Sequence, residues 1–175
     1  VIRILPLILA IAALALPARA EDWYLKVDNS NTQKYPFTTH ASALWTNALG
    51  AAATATSFSG DSGSVAYVQN GREIRFDTGT TFPGGTFCLG AVDGSSAGSI
   101  NMRKSNFNVK NMEWYRGEIS QGFGGSCPTI AGAIAVKGVA FTHSIKPNTS
   151  TAASGINFTA AFSCEDADIN VPIQA

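Results

Sequence analysis

The stretch from Ser64 to Asp77, SVAYVQNGREIRFD, constrains the fold more than any other part of this chain. Asn70-Gly71 suits a two-residue type I′ turn, in which both central residues take positive φ. Such a turn would set Gln69 against Arg72, Tyr67 against Ile74 and Val65 against Phe76. One face of the hairpin would then carry Val65, Tyr67, Ile74 and Phe76. The other would pair Val68 with Glu73 and Ala66 with Arg75, a mostly polar set. Turn chemistry and hydrophobic parity lead independently to one expectation, a β-hairpin.

The same period of two recurs along the chain. Trp23, Leu25 and Val27 alternate with Tyr24 and Lys26. Thr86 to Val92 reads as a short apolar strand between Gly-rich turns. Phe107 to Tyr115 reads as another, in which Val109 and Met112 break parity and imply a bulge. Thr129 to Phe141 is a long run of small and β-branched residues that changes parity near Gly138. Ile156, Phe158, Ala160, Phe162 and Cys164 alternate with Asn157, Thr159, Ala161 and Ser163, which places Cys164 on a buried face. Ile169, Val171 and Ile173 alternate again, and Pro172 makes that run an edge strand. Between Thr39 and Thr56, Ala43, Leu44, Ala48, Leu49 and Ala52 fall near helical spacing and predict one short helix. No internal repeat or linker is visible. These elements predict a mostly β fold, an antiparallel β-sandwich or barrel-like domain with one short helix near its N-terminus.

Residues 1–20, VIRILPLILAIAALALPARA, resemble a secretory signal. Arg3 precedes an apolar run from Ile4 to Leu16, and Ala18-Arg19-Ala20 is a small-x-small cleavage pattern. A membrane span needs about 20 apolar residues, so a cleaved leader is the primary expectation; a retained N-terminal helix, and with it a membrane contact, is the competing one. The domain proper is then 21–175, and its expected location is secreted, periplasmic or at the cell surface.

Charge narrows the partners. Twelve Lys and Arg balance twelve Asp and Glu, and charged residues make up only 14% of the chain. Without a basic field, sequence-independent binding to nucleic acid is not expected. The 45% hydrophobic share is too high for a disordered chain.

Three cysteines, Cys88, Cys127 and Cys164, allow three single pairings. In an exported protein a disulfide is the default, and Cys127–Cys164 is the expected pair because it would tie the C-terminal region into one loop. Cys88, inside Phe87-Cys88-Leu89, reads as a buried thiol. No CxxC spacing points to zinc, and no cofactor or metal is expected.

Motifs of catalytic appearance are isolated. Gly60-Asp61-Ser62-Gly63 matches the tetrapeptide around the nucleophile of trypsin-like proteases, but only His40 precedes it and a whole barrel is missing. Gly94-Ser95-Ser96-Ala97-Gly98 fits the G-x-S-x-G elbow, with His143 downstream, but Ser99 to Arg103 does not read as the helix an elbow requires. His40 and His143 read as surface or loop residues. Glu165, Asp166 and Asp168 read as a solvated acidic turn rather than a calcium site. Asn148 and Asn157 head glycosylation sequons that matter only in a eukaryotic host. Trp114-Tyr115, beside Arg116 and Glu118, is the candidate ligand contact, weighed against a core-and-rim role.

The leading functional expectation is an exported structural or surface protein, a filament subunit or an adhesin. Its assembly strands would be Trp23, Leu25 and Val27 at one end and Ile169, Val171 and Ile173 at the other, pairing with further copies or other surface proteins. The alternative is a monomeric secreted module that binds a glycan or a protein. A secreted hydrolase is the third reading.

Overall fold

The computed structural model describes residues 20–59, 63–103, 105–122, 127–138, 143–146 and 155–165. The expectations for the leader, for Asp61-Ser62, for Asn148, for Asp166 and Asp168 and for the strand at 169–173 lie outside these residues. In chain order the elements are β1 (Asp22–Leu25), α1 (Ala41–Leu44), β2 (Trp45–Thr46), β3 (Val65–Val68), β4 (Glu73–Arg75), β5 (Thr80–Leu89), β6 (Gly98–Asn101), β7 (Phe107–Trp114), β8 (Gly117–Ser120), β9 (Thr129–Lys137), β10 (His143–Lys146) and β11 (Asn157–Glu165). The mostly β character matches expectation, but the Ala-rich segment is helical only at Ala41–Leu44; Ala48 and Leu49 fall in a turn after β2 and Ala52 in an isolated bridge to Thr46.

The arrangement of strands does not. One sheet, A, has seven strands in the order β11-β9-β7-β5-β3-β1-β2, and the other, B, has four in the order β10-β8-β6-β4. Among the strands of the described residues only β1–β2 pair antiparallel, and every other strand pair is parallel. From β3 onward the chain alternates between the sheets, and each strand lies beside the one a full turn earlier. The result is a parallel β-solenoid, a coil with two flat walls, rather than an antiparallel sandwich. One turn takes 21 residues from Val65 to Thr86, 25 to Asn111, 22 to Ala133 and 28 to Ala161. Turns of unequal length leave no fixed period for the sequence to display.

The segment at Ser64–Asp77 shows where the local reading parts from the structure. Asn70 and Gly71 both take positive φ, 59° and 70°, and Arg72 N–H donates to the Gln69 carbonyl at 3.1 Å. The turn is present, yet β3 and β4 do not pair. β3 sits between β1 and β5 in sheet A, whereas β4 pairs with β6 in sheet B. The turn is a corner of the coil. Ala66 and Val68 face the core and Tyr67 faces outward, the reverse of the expected parity, while Ile74 and Phe76 are buried as expected.

The core lies between the two walls and consists of side chains stacked in register. Ile74, Ile100 and Ile119 are fully buried and follow one another across β4, β6 and β8, with Ile145 of β10 packed against the same cluster. On the facing wall Ala66, Phe87, Met112 and Ile134 form a second row and Val68, Leu89, Trp114 and Val136 a third. The expected irregularity in β7 is observed as a register shift between Asn108 and Asn111. Gly132 lies against it with φ 138°, and a Cβ there would run into the Val109 carbonyl oxygen.

The N-terminal end of the coil is closed. Phe37, Trp45 and Phe58 are buried and pack as an aromatic lid on Phe76, Phe82, Phe87 and Phe107. The Trp45 indole N–H donates to the Pro36 carbonyl at 2.9 Å, so the lid buries no orphaned donor there. β1 is paired on both sides, and Trp23 and Leu25 are only 4% exposed. They are core residues of the chain's own sheet, whereas Val27, just past the strand, is exposed. The outer edge of β4 is covered by side chains in place of a strand. Asn29 Oδ1 accepts from Arg75 N–H at 2.6 Å, Asn29 Nδ2 donates to the Arg75 carbonyl at 2.8 Å, and Asp28 Oδ1 accepts from Glu73 N–H at 2.9 Å. An edge capped this way offers no free ladder to another chain.

The expected disulfide is also corrected. Thr129 pairs with Asn157, so Cys127 stands two residues before that rung and Cys164 seven residues after it. At about 3.3 Å per residue the two are roughly 30 Å apart, against about 4.4–6.8 Å between Cα atoms in a disulfide. No disulfide joins them, and Cys164 is exposed rather than buried. Cys88 is buried, as expected.

Candidate functional site

Parallel stacking places residues from distant parts of the sequence in outward-facing rows, and two such rows gather polar chemistry. On sheet A, Tyr24, Tyr67, Cys88 and Glu113 follow one another in register. Tyr24 and Tyr67 stack with ring centroids 5.1 Å apart and planes 14° from parallel. Glu113 accepts from the Tyr115 hydroxyl at 2.7 Å and from Lys137 Nζ at 3.0 Å. Burial pushes Glu113 upward, but these two hydrogen bonds and the Lys137 charge outweigh it and hold the carboxyl below its usual range. The Cys88 thiol lies 4.0 Å from Glu113 Oε2. Burial, then the negative charges of Glu113 and Asp22, push it up to about 12, so it is an unreactive thiol at neutral pH. Tyr67 and Tyr115 are also raised, first by burial, and Tyr115 further by its bond to Glu113.

On sheet B the outward rows are Glu73, Ser99, Glu118, Ser144 and Arg75, Asn101, Ser120, Lys146. Beside them is an open hollow of about 280 Å³ lined by Ala97, Gly98, Arg116, Gly117, Glu118 and Ser144. Gly98 and Gly117 face each other across adjacent turns. A Cβ on Gly98 would strike the Val68 carbonyl and one on Gly117 the Gly98 carbonyl, so both positions require glycine. Arg116 Nη1 donates to the Gly94 carbonyl at 2.8 Å, and the Ser144 hydroxyl reaches Glu118 Oε2 at 3.5 Å. Ion pairs among the described residues include Arg75–Asp77, Arg103–Asp77 and Lys137–Glu113, and neither Arg116 nor Glu118 takes part in these.

The residues singled out from sequence divide accordingly. Trp114 is 1% exposed and belongs to the core, so it is not a ligand contact. Tyr115 is half-buried on the outer side, committed to Glu113. His143 is a buried β10 residue, not a surface one: its Nε2 bonds to the Trp114 carbonyl at 3.0 Å. His40 stacks on Tyr35. Gly94–Gly98 forms the corner between β5 and β6, where Ser96 Oγ accepts from Asn70 N–H at 3.2 Å, and a strand follows it instead of a helix. Among the described residues no three His, Cys, Asp or Glu side chains are grouped to hold a metal ion, and no helix is long and apolar enough to cross a membrane. Arg116 and Glu118, which the sequence sets beside the candidate contact Trp114-Tyr115, do line the hollow. Glu113 with Lys137, and Ser144, come together through pairings that no spacing announces.

Comparison with known proteins adds no relative: no family model, curated protein or solved structure matches the chain.

Proposed function

We propose that this chain is an exported, non-catalytic surface protein of the adhesive kind, a stiff β-solenoid that presents one wall to a ligand outside the cytosol. The observation that carries the reading is the outer wall of sheet B. It is flat and polar, with carboxylate, hydroxyl, amide and cationic side chains repeating rung by rung. Such a wall can bind an extended partner along the coil axis, and parallel pairing on both sides keeps its groups in fixed relative positions. Export rests on the leader-like pattern of residues 1–20.

Two measurements test this. Protease shaving of intact cells should release peptides of residues 21–175 when residues 1–20 are present and none when they are deleted. The purified protein should bind immobilised glycans with an affinity unaffected by serine-directed inhibitors. Retention in the cytosol, or turnover of a glycan substrate, would reject the proposal. Assembly into filaments by exchange of the first strand is disfavoured, since it would pull Trp23 and Leu25 out of the core.

A further inference from the structure

We infer that the hollow between Arg116, Glu118 and Ser144 is a binding subsite for a neutral sugar unit of an oligosaccharide; this rests on the adhesive reading and names its ligand. Three of the six lining residues, Ala97, Gly98 and Gly117, are small, and the close approach of the carbonyls of Val68 and Gly98 forbids larger side chains at the two glycines. At about 280 Å³ the hollow lies at the small end of ligand sites and suits a single ring rather than a drug-sized molecule.

The walls choose the charge of the ligand. Arg116 uses one N–H on the Gly94 carbonyl and reaches no carboxylate among the described residues, which leaves the rest of its five donors for a partner. Among the described residues Glu118 is engaged only by the distant Ser144 hydroxyl. An anion drawn to Arg116 would meet the Glu118 carboxylate, and a cation drawn to Glu118 would meet the guanidinium. A neutral polyol takes both, accepting from Arg116 and donating to Glu118 in charge-assisted hydrogen bonds. A pyranose adds an apolar face of C–H groups for the small residues Ala97, Gly98 and Gly117. The rows Glu73, Ser99, Glu118, Ser144 and Arg75, Asn101, Ser120, Lys146 continue past the hollow along the coil axis, so neighbouring sugar units would meet further hydroxyl and amide groups.

The test is isothermal titration of the full chain with starch-, cellulose- and mannan-derived hexaoses, with polygalacturonate and with free glycine. The expected result is binding of at least one neutral hexaose and weaker binding of the uronate polymer and glycine. Losing a hydrogen bond to a charged group removes about 1.5–3 kcal/mol, so Glu118→Ala and Arg116→Ala should each weaken that binding about tenfold to a hundredfold. Glu118→Gln should raise affinity for polygalacturonate by removing the like charge. Arg116 also holds the Gly94 corner, so circular dichroism must show that its variant is folded; Glu118, on the outer face, provides the independent variant. Neutral glycan binding undiminished in both alanine variants would overturn the site while leaving the adhesive reading intact. A preference for the uronate or for glycine would overturn the ligand class. No binding to any glycan would overturn the adhesive reading and the subsite together.

Discussion

Removing the Asn29 side chain should unseal the N-terminal edge of sheet B, and the size of the effect can be worked from three hydrogen bonds. Asn29 is 7% exposed. Its amide accepts from Arg75 N–H at 2.6 Å, donates to the Arg75 carbonyl at 2.8 Å and donates to the Gln33 carbonyl at 3.2 Å. In Asn29→Ala the two Arg75 backbone groups lose the partners that stand in for a neighbouring strand. A buried polar group left unsatisfied costs about 1–3 kcal/mol. Arg75 is only half-buried, so water recovers part of this, and the low end applies to each group, about 2–3 kcal/mol in all. Against a typical total of about 5–15 kcal/mol, and with a urea slope of about 1–3 kcal/mol per molar, the unfolding midpoint should fall by about 1 M. Asn29→Asp keeps the acceptor for Arg75 N–H but loses both donors, so its midpoint should fall between wild type and the alanine variant. Light scattering should report self-association of Asn29→Ala before unfolding, because the opened edge of β4 is a template for pairing. An unchanged midpoint with no added scattering would refute the edge-cap argument.

Other perturbations address the rest of the coil. The raised Cys88 pKa makes stability depend on alkaline pH: below 9.0 both states carry the proton, and above it the unfolded chain loses the proton first. The contribution is complete below pH 9.0 and declines toward about 12, by up to about 1.4 kcal/mol per pH unit. Denaturant titrations from pH 9 to 11 should therefore give a shallower slope for Cys88→Ala than for wild type, and equal slopes would contradict the burial of the thiol. Ile100→Ala, at the centre of the isoleucine row, should destabilise by about 2–5 kcal/mol in the same assay; a loss below 1 kcal/mol would mean the row is not packed as described. Intact-mass analysis after alkylation without reductant should show Cys127 and Cys164 modified and Cys88 modified only after unfolding. A Cys127–Cys164 bridge in that experiment would require a different register for β11.

Much of the fold was legible residue by residue, and what was missing was the identity of the partners. Alternation located β7, β9 and β11, the parity break in β7 located its bulge, and Asn70-Gly71 located a turn of the right backbone conformation. None of these signals says which strand lies alongside. A two-residue turn with φ of 59° and 70° can return a strand onto its neighbour or send it across the core to the opposite wall. At this corner the Gly71 N–H donates to the Ala97 carbonyl at 2.8 Å and Ser99 N–H to the Arg72 carbonyl at 2.9 Å, so the next turn of the coil settles the choice. Those partners lie more than twenty residues downstream, beyond the reach of a local pattern. The parity error at Tyr67 follows from the same cause. In a hairpin the larger Val65 and Tyr67 would make the better apolar face, but in the coil the inward positions stack directly on Phe87 and Leu89, and Ala66 and Val68 fit there.

The candidate sites obey the same logic. Tyr67, Cys88, Glu113 and Lys137 become neighbours only because parallel rungs stack across turns of 21, 25 and 22 residues, and Ser144 reaches Glu118 by pairing of β10 with β8. The unequal lengths come from the segments between paired strands and from the register shifts in β5 and β7. A coil of this kind can therefore keep its isoleucine row and its facing glycines while its sequence period drifts, and the polar wall it displays is specified by register rather than by any contiguous motif.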